Sequence, residues 1–307
     1  MGEDWELNHV GLMITNRNAT LRHFQARRIG ISVGPQPLLP HEDGEGSLMF
    51  YRTLDGDPVT NTYRTGGAHT FKDGNCQIGD CQLECYPMKP GPGMFIGEYL
   101  ERKGPGVNHI CFNTDSVEED TGHFLKKDCA LTFNATVNGK TVENYLDTRA
   151  HGDLMISLRP PASEWERAWR ENNEQHPLVN DWKFLGLGIG VFSVSEAISY
   201  YENLGFSACS DLFTDKACGF LHQAVNVGPL QFIFCETMGK ASIFADSLAL
   251  RGEGVSTLVF EVADLDFERG KLQEHGTPVF AESSDGMSLY FDTRDEGNLI
   301  LQLRQAA

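Results

Sequence analysis

The sequence predicts an α+β chain in which one pattern, a strand, then a helix, then a group of strands, recurs four times across two similar halves. Two internal repeats and the chain length predict it. "GVNHICFNTDS" (Gly106 to Ser116) and "GVSTLVFEVAD" (Gly254 to Asp264) read as copies of one strand and its exit turn. "YLDTRAHGDLMISLR" (Tyr145 to Arg159) answers "YFDTRDEGNLILQLR" (Tyr290 to Arg304) at a constant offset of 145 residues, with Tyr, Asp, Thr, Arg, Gly, Leu, Leu and Arg in register. A chain of 307 residues is also long enough for two domains, each burying its own core.

The elements follow in order. "LNHVGLMIT" (Leu7 to Thr15) reads as a strand, and a helical stretch runs from Asn18 to Arg28. Short strands then close on "CQIGDCQLECYP" (Cys76 to Pro87), where Cys81 and Cys85 share one face. The second unit begins at Gly106, and its helix opens at Ser116 with Glu119 three residues on, a capping box in which each side chain satisfies an orphan N–H. The third unit, "LGLGIGVFSVSEAISYYENLGF", carries a second capping box at Ser193 and Glu196 and a stop at Gly205. The fourth begins at Gly254, with a helix over 265–275. "LQFIFCE" and "NLILQLR" are rich in strand formers and bounded by turn residues. The expected division is therefore 1–160, a proline-led polar linker over 161–182, and 183–307. Trp165 and Trp169, four residues apart, predict a short linker helix packed on a domain.

A formal charge of −18 repels phosphate backbones and anionic lipid, which argues against nucleic-acid and membrane partners. No apolar run approaches the about 18 residues of a membrane span, and "MGEDWELNHV" has no leader pattern, so a cytoplasmic protein is expected. The eight cysteines form no C-x-x-C pair and read as reduced, buried thiols. The "NAT" sequons at Asn18 and Asn134 read as helix-cap and loop chemistry.

The fourfold βαβββ pattern resembles the vicinal oxygen chelate superfamily, which includes glyoxalase I, methylmalonyl-CoA epimerase and the extradiol dioxygenases. The resemblance covers about Leu7 to Pro161 and is most specific over "IGDCQLECYPMKPGPGMFIGEYLERKGPGVNHICF" (Ile78 to Phe112), where it is closest to the epimerases. It implies modules paired into two incomplete barrels, with a metal ion inside. It also implies the ligands: His9 in "LNHVGL", Glu84 five residues after Gly79, and His109. The family's fourth ligand, a glutamate of the last strand, has Ile156 in its place. Aligning "LGIGV" with "NHVGL" sets Gly188 opposite His9, and Ile233, Thr257 and Leu301 fall at the other places, so the second half is expected to be metal-free. A lone histidine on an apolar strand is ordinarily a hydrogen-bonded core residue, and a lone strand glutamate a solvated one. Three coordinating side chains on three ligand positions of one half is a different matter.

Two imidazoles and one carboxylate hold a divalent ion, whether Fe, Mn, Co, Zn or Ni, and leave positions open for a substrate. The implied reaction chelates neighbouring oxygens of a small molecule and stabilises an enolate, as an epimerase, isomerase or lyase does. An Fe(II) dioxygenase of the extradiol type is the alternative, and a metal-free binding protein the third reading. A base is needed beside the metal. Glu45 in the loop that also holds His41 and Glu42, His69 in the stretch with Tyr51 and Tyr63, and His151 before the last strand are the candidates. No Gly-rich phosphate loop or basic cluster points to a CoA ester. A homodimer is compatible with the pattern.

Overall fold

A computed structural model of the chain describes residues 1–33, 44–50, 59–65, 75–86 and 95–306; the side chains of 44–50, 59–65, 95–96 and 165 lie outside that description. In the first half, β1 (Glu6–Met13), α1 (Arg17–Ala26), β2 (Ile31–Val33), β5 (Asn75–Ile78) and β6 (Cys81–Tyr86) make one βαβββ module. The hairpin of β3 (Gly44–Phe50) and β4 (Val59–Thr65) is inserted within it. Helix α2 (Phe95–Lys103) leads to the second module, made of β7 (Gly106–Asn113), α3 (Val117–Leu125), β8 (Leu131–Val137), β9 (Lys140–Leu146) and β10 (Met155–Arg159). After α4 (Glu164–Glu174) the order repeats. The third module has β11 (Lys183–Val191), α5 (Val194–Asn203), β12 (Ser207–Ala208), β13 (Phe213–Asp215), β14 (Phe220–Val227) and β15 (Leu230–Thr237). The fourth follows α6 (Ala245–Arg251), with β16 (Gly254–Val262), α7 (Leu265–Glu274), β17 (Val279–Glu282), β18 (Ser288–Thr293) and β19 (Leu299–Gln305).

The first sheet runs β2-β5-β6-β1-β7-β10-β9-β8-β3-β4, and the second β12-β14-β15-β11-β16-β19-β18-β17 with β13 on β14. The first eight strands of the first order match the eight of the second order. In each, the first strands of two modules pair antiparallel at the centre, and each pairs parallel with the last strand of its own module. The β3–β4 hairpin breaks the symmetry. It leaves the first module and pairs β3 with β8 at the far edge of the sheet, where the second sheet ends at β17 among the described residues.

Both central pairs carry the same irregularities. The register slips between Leu7 and His9 and between Phe184 and Gly186, leaving Asn8 and Leu185 as the extra residues. A bulge lets two successive side chains escape the strict alternation of a strand, and here it sits beside the candidate ligand His9.

Helix caps follow local chemistry with two departures from the sequence reading. Helix α1 starts earlier than expected because Asn16 accepts from the Ala19 N–H. The capping box at Ser116 does not form: Thr114 Oγ1 accepts from the Ser116 N–H and donates to Asp120 Oδ2 at 2.7 Å, taking over the turn. Ser193 does cap α5, accepting from the Glu196 N–H, and Gly205 ends it at φ +100°, where a side chain would be strained. Asn134 lies inside β8, donating to Asn144 Oδ1, and not in a loop.

One apolar core runs through both halves. Trp5 packs its indole on Phe112 and Phe124 of the first half and on Phe206 of the second, with ring centroids 5.1, 6.3 and 5.9 Å away. Tyr201 continues the stack to Phe232 and Phe234. Cys81 and Cys85 are buried in this core, and all eight cysteines are free. The linker helix α4, capped by Ser163, meets the first half through Glu166 and Arg170, which bond Asn8. Among the described residues no helix is long and apolar enough to cross a membrane.

Candidate metal centre

The bulge at Asn8 sets the site. Asn8 Nδ2 donates to Asn113 Oδ1 at 2.7 Å and to Glu166 Oε1 at 3.0 Å, which fixes its amide orientation. Its Oδ1 then accepts from Arg170 at 2.7 Å and from the His9 Nδ1–H at 2.7 Å. Asn108 Oδ1 lies 3.3 Å from His109 Nδ1 in the same relation. A histidine that gives one ring N–H to a neighbouring carbonyl presents its other nitrogen as a bare lone pair, the tautomer a metal ligand needs.

Those lone pairs converge. His9 Nε2 is 3.1 Å from His109 Nε2 and 2.9 Å from Glu84 Oε2. Register explains the meeting: Gly11 of β1 pairs with Glu84 of β6 on one side and with His109 of β7 on the other. A Cβ at Gly11 would stand 2.0 Å from His109 Cε1, so only glycine leaves room for the imidazole to lie across β1. All three side chains are buried, His109 completely.

Burial pushes the Glu84 carboxyl upward, but the His9 imidazole and then Arg159 and His109 outweigh it and bring it to about 2. Burial holds the His109 imidazole well below its usual range, with His9 adding and Glu84 opposing. The pair therefore stands as carboxylate and neutral imidazole at neutral pH, the forms that coordinate. Burial also keeps the Tyr145 and Tyr86 phenols protonated. Tyr145 Oη lies within hydrogen-bond distance of His109 Nε2, at 3.2 Å, and Tyr86 bonds Glu84.

This donor set fits a divalent ion. The 2.9 Å His9–Glu84 contact is a hydrogen bond that helps hold Glu84 ionised, and giving up its proton would leave both atoms free to ligate. Two donors at right angles, each about 2.1 Å from one ion, sit about 3.0 Å apart, close to both separations here. Gly11→Ala therefore weakens divalent-metal affinity by about 10- to 100-fold, the usual effect of disturbing a ligand's support, as metal titration of the variant measures. Unchanged affinity would show that the His109 ring has another place to go.

Two register readings need correction. β10 runs parallel to β7, with Met155 opposite His109 and Ser157 opposite Cys111, so Met155, Ser157 and Arg159 share the site face. Ile156 points the other way into the apolar core, because neighbouring strand residues face opposite sides. In the second half, Gly188 pairs with Thr257 as Gly11 pairs with His109, so the counterpart of His9 is Gly186 and not Gly188. Those positions, Gly186, Ile233 and Thr257, offer no imidazole or carboxylate. An apolar cluster that includes Phe220, Phe244, Tyr290 and Ile300 packs there as well.

Of the base candidates, only His151 has a described side chain. His151 faces Tyr200 of α5, ring centroids 5.3 Å apart, which places it at the junction of the halves. Glu45 lies on β3 with its backbone opposite Arg64, its side chain outside the described residues; His69, His41, Glu42 and Tyr51 lie outside them entirely, and of Tyr63 only the backbone is described. Sequence reasoning passed over Asn8, Asn108, Cys111, Glu143, Tyr145 and Ser157. The repeated Asn-His dipeptide at 8–9 and 108–109 was the available signal for the first two.

No protein-family model matches the sequence, and no curated protein does. Among solved structures, a mutant of 4-hydroxymandelate synthase from Streptomyces coelicolor is similar with a TM-score of 0.65 at 11% identity, over 98% of this chain and 92% of that one. Methylmalonyl-CoA epimerase from Mycobacterium tuberculosis is similar at 21% identity and a TM-score of 0.37, over 41% of this chain and 88% of that one. A hypothetical protein from Bacillus halodurans is similar at 16% identity and the same score, over 42% and 96%. With its modules, sheet orders and full-length match, the chain has the two-domain vicinal oxygen chelate fold.

Proposed function

We propose that the chain is a divalent-metal-dependent enzyme of the isomerase or lyase type, acting on a small molecule with two neighbouring oxygens. The observation that carries the reading is the convergence of His9 Nε2, His109 Nε2 and Glu84 within one buried point of the first half. Residues 1–160 are then the metal-binding domain, 161–182 the linker and 183–307 a metal-free domain. A divalent ion in that place supplies Lewis-acid stabilisation of charge developing on the substrate's oxygens, commonly several kcal/mol.

The chain's own residues do the rest. Asn8 and Asn108 hold the two imidazoles in the ligating tautomer. Tyr145 and Tyr86 offer neutral phenol donors beside the two imidazoles and Glu84, where positioned O–H groups stabilise developing negative charge. Proton transfer falls in this reading to Glu45 or His69, because His151 is turned to Tyr200.

The test is anaerobic incubation in heavy water with Mn(II) and a panel of 2-hydroxy ketones, 2-oxo acids and 2-substituted malonyl thioesters. Deuterium at the carbon beside a carbonyl supports the proposal. One observation favours a second reading: two histidines and one carboxylate is the set that holds Fe(II) for oxygen chemistry. Turnover that requires Fe(II) and dioxygen would establish that reading and withdraw the first. A purified protein that binds no divalent ion would leave a metal-free binding protein.

A further inference from the structure

We infer that Glu143 is a second carboxylate ligand of the same centre, held by Ser157 from the neighbouring strand. The inference rests on the metal-dependent reading above and deepens it.

Glu143 and Tyr145 lie two residues apart on β9, and Tyr145 pairs with Ser157 of β10. The carboxylate therefore reaches across to the face that carries Ser157 and Cys111. Glu143 Oε1 accepts from Ser157 Oγ at 2.7 Å and from Cys111 Sγ at 3.7 Å. The donor atoms of His9, Cys111 and Glu143 all lie within 4.8 Å of one another. His9 is thus common to both groups, with Glu84 and His109 in one and Cys111 and Glu143 in the other. Two donors on opposite sides of one ion lie about 4.2 Å apart, so a small rotation of the Glu143 side chain brings it into the same sphere.

Serine at 157 suits this arrangement. Its side chain is short enough to leave the space to Glu143, and its hydroxyl fixes one oxygen of the carboxylate. Charge balance is local. Burial disfavours the Arg159 guanidinium, yet Glu143 first and then Glu166 favour its charge. Glu143 is half-buried and bonded to Ser157 and Cys111, unlike an ordinary strand glutamate turned to solvent.

The consequence is chemical. Two imidazoles with two carboxylates make an oxygen-rich set suited to Lewis-acid work by hard ions such as Mn(II). Glu143 would also occupy a place that a two-histidine, one-carboxylate Fe(II) centre leaves open to dioxygen.

The experiment is a Co(II) titration of the full-length chain, wild type and variants, read by visible absorption and by competition with a chelator. Glu143→Gln should weaken Co(II) binding by about 100-fold and alter the spectrum, and Ser157→Ala should weaken it by about 10-fold with the spectrum kept. Thermal melts of the metal-free proteins report whether each variant folds. Should Glu143→Gln fail to fold, Glu143→Asp and Ser157→Ala carry the test. Wild-type affinity and spectrum in the folded Glu143 variant, with binding lost in His9→Ala, would overturn the assignment and leave the metal reading in place. A wild-type chain that binds no Co(II) would overturn both.

Discussion

Alanine at His9 or at His109 abolishes stoichiometric divalent-metal binding and leaves the fold in place. Both rings reach the centre from central strands whose other face is packed with aliphatic and aromatic residues, so the sheet does not depend on the imidazoles. Removing either ring takes away one lone pair of a pair 3.1 Å apart and releases its Asn partner. Glu84→Gln removes the anionic ligand of the set and should bind little metal as well. Metal analysis after dialysis against each divalent ion, with far-ultraviolet circular dichroism for the fold, checks the outcome. Full occupancy in the doubly substituted protein would sink the assignment. The same variants test the second half without cutting the chain: ion retained by them would have to sit on ligands other than Gly186, Ile233 and Thr257.

Trp5→Ala should cost about 3–5 kcal/mol of stability, the range for removing a large buried aromatic side chain. The indole is 3% exposed and touches both halves, with Phe112 and Phe124 on one side and Phe206 on the other. It also donates its N–H to Asp120 Oδ2 at 2.9 Å, which truncation would leave without that partner. Because the core is continuous, the loss should appear in the unfolding of both halves and not in the first alone. Urea unfolding followed by circular dichroism and by the fluorescence of Trp182, which packs on Phe260 of the second half, measures it. A change below about 1 kcal/mol would mean that the halves are held together elsewhere. Separately expressed halves would expose this shared face, so the intact chain is the better subject.

Much of this protein was legible before any coordinates. The order of strands and helices followed from repeats that keep Tyr145, Asp147 and Arg149 in register with Tyr290, Asp292 and Arg294. Both arginines in fact clasp the aspartate two residues before them, at 2.6 Å in each half, so the repeated letters encode a repeated turn. His9, Glu84 and His109 were nameable one by one because each lies on a strand whose neighbours are recognisable. The capping failure at Ser116 shows the limit of local rules: Thr114 Oγ1 takes the Ser116 N–H to which the Glu119 side chain would reach back, and the pattern of letters does not say which acceptor prevails.

Tertiary structure decided what depends on register across strands. A slip of one residue turns a side chain from the cavity to the core, and no single strand carries that information. Thus Ile156 fell to the core and Ser157 to the site, and the counterpart of His9 moved from Gly188 to Gly186. The bulge at Asn8, the glycine at 11 that admits the His109 ring, and the approach of Glu143 to His9 arise from pairing between segments distant in the chain. The sequence by itself determined which elements form and that His9, Glu84 and His109 all lie in the first half, because those depend on nearby residues and their identities. Only the folded sheet decided which faces meet, because hydrogen-bond register and packing between strands set that geometry.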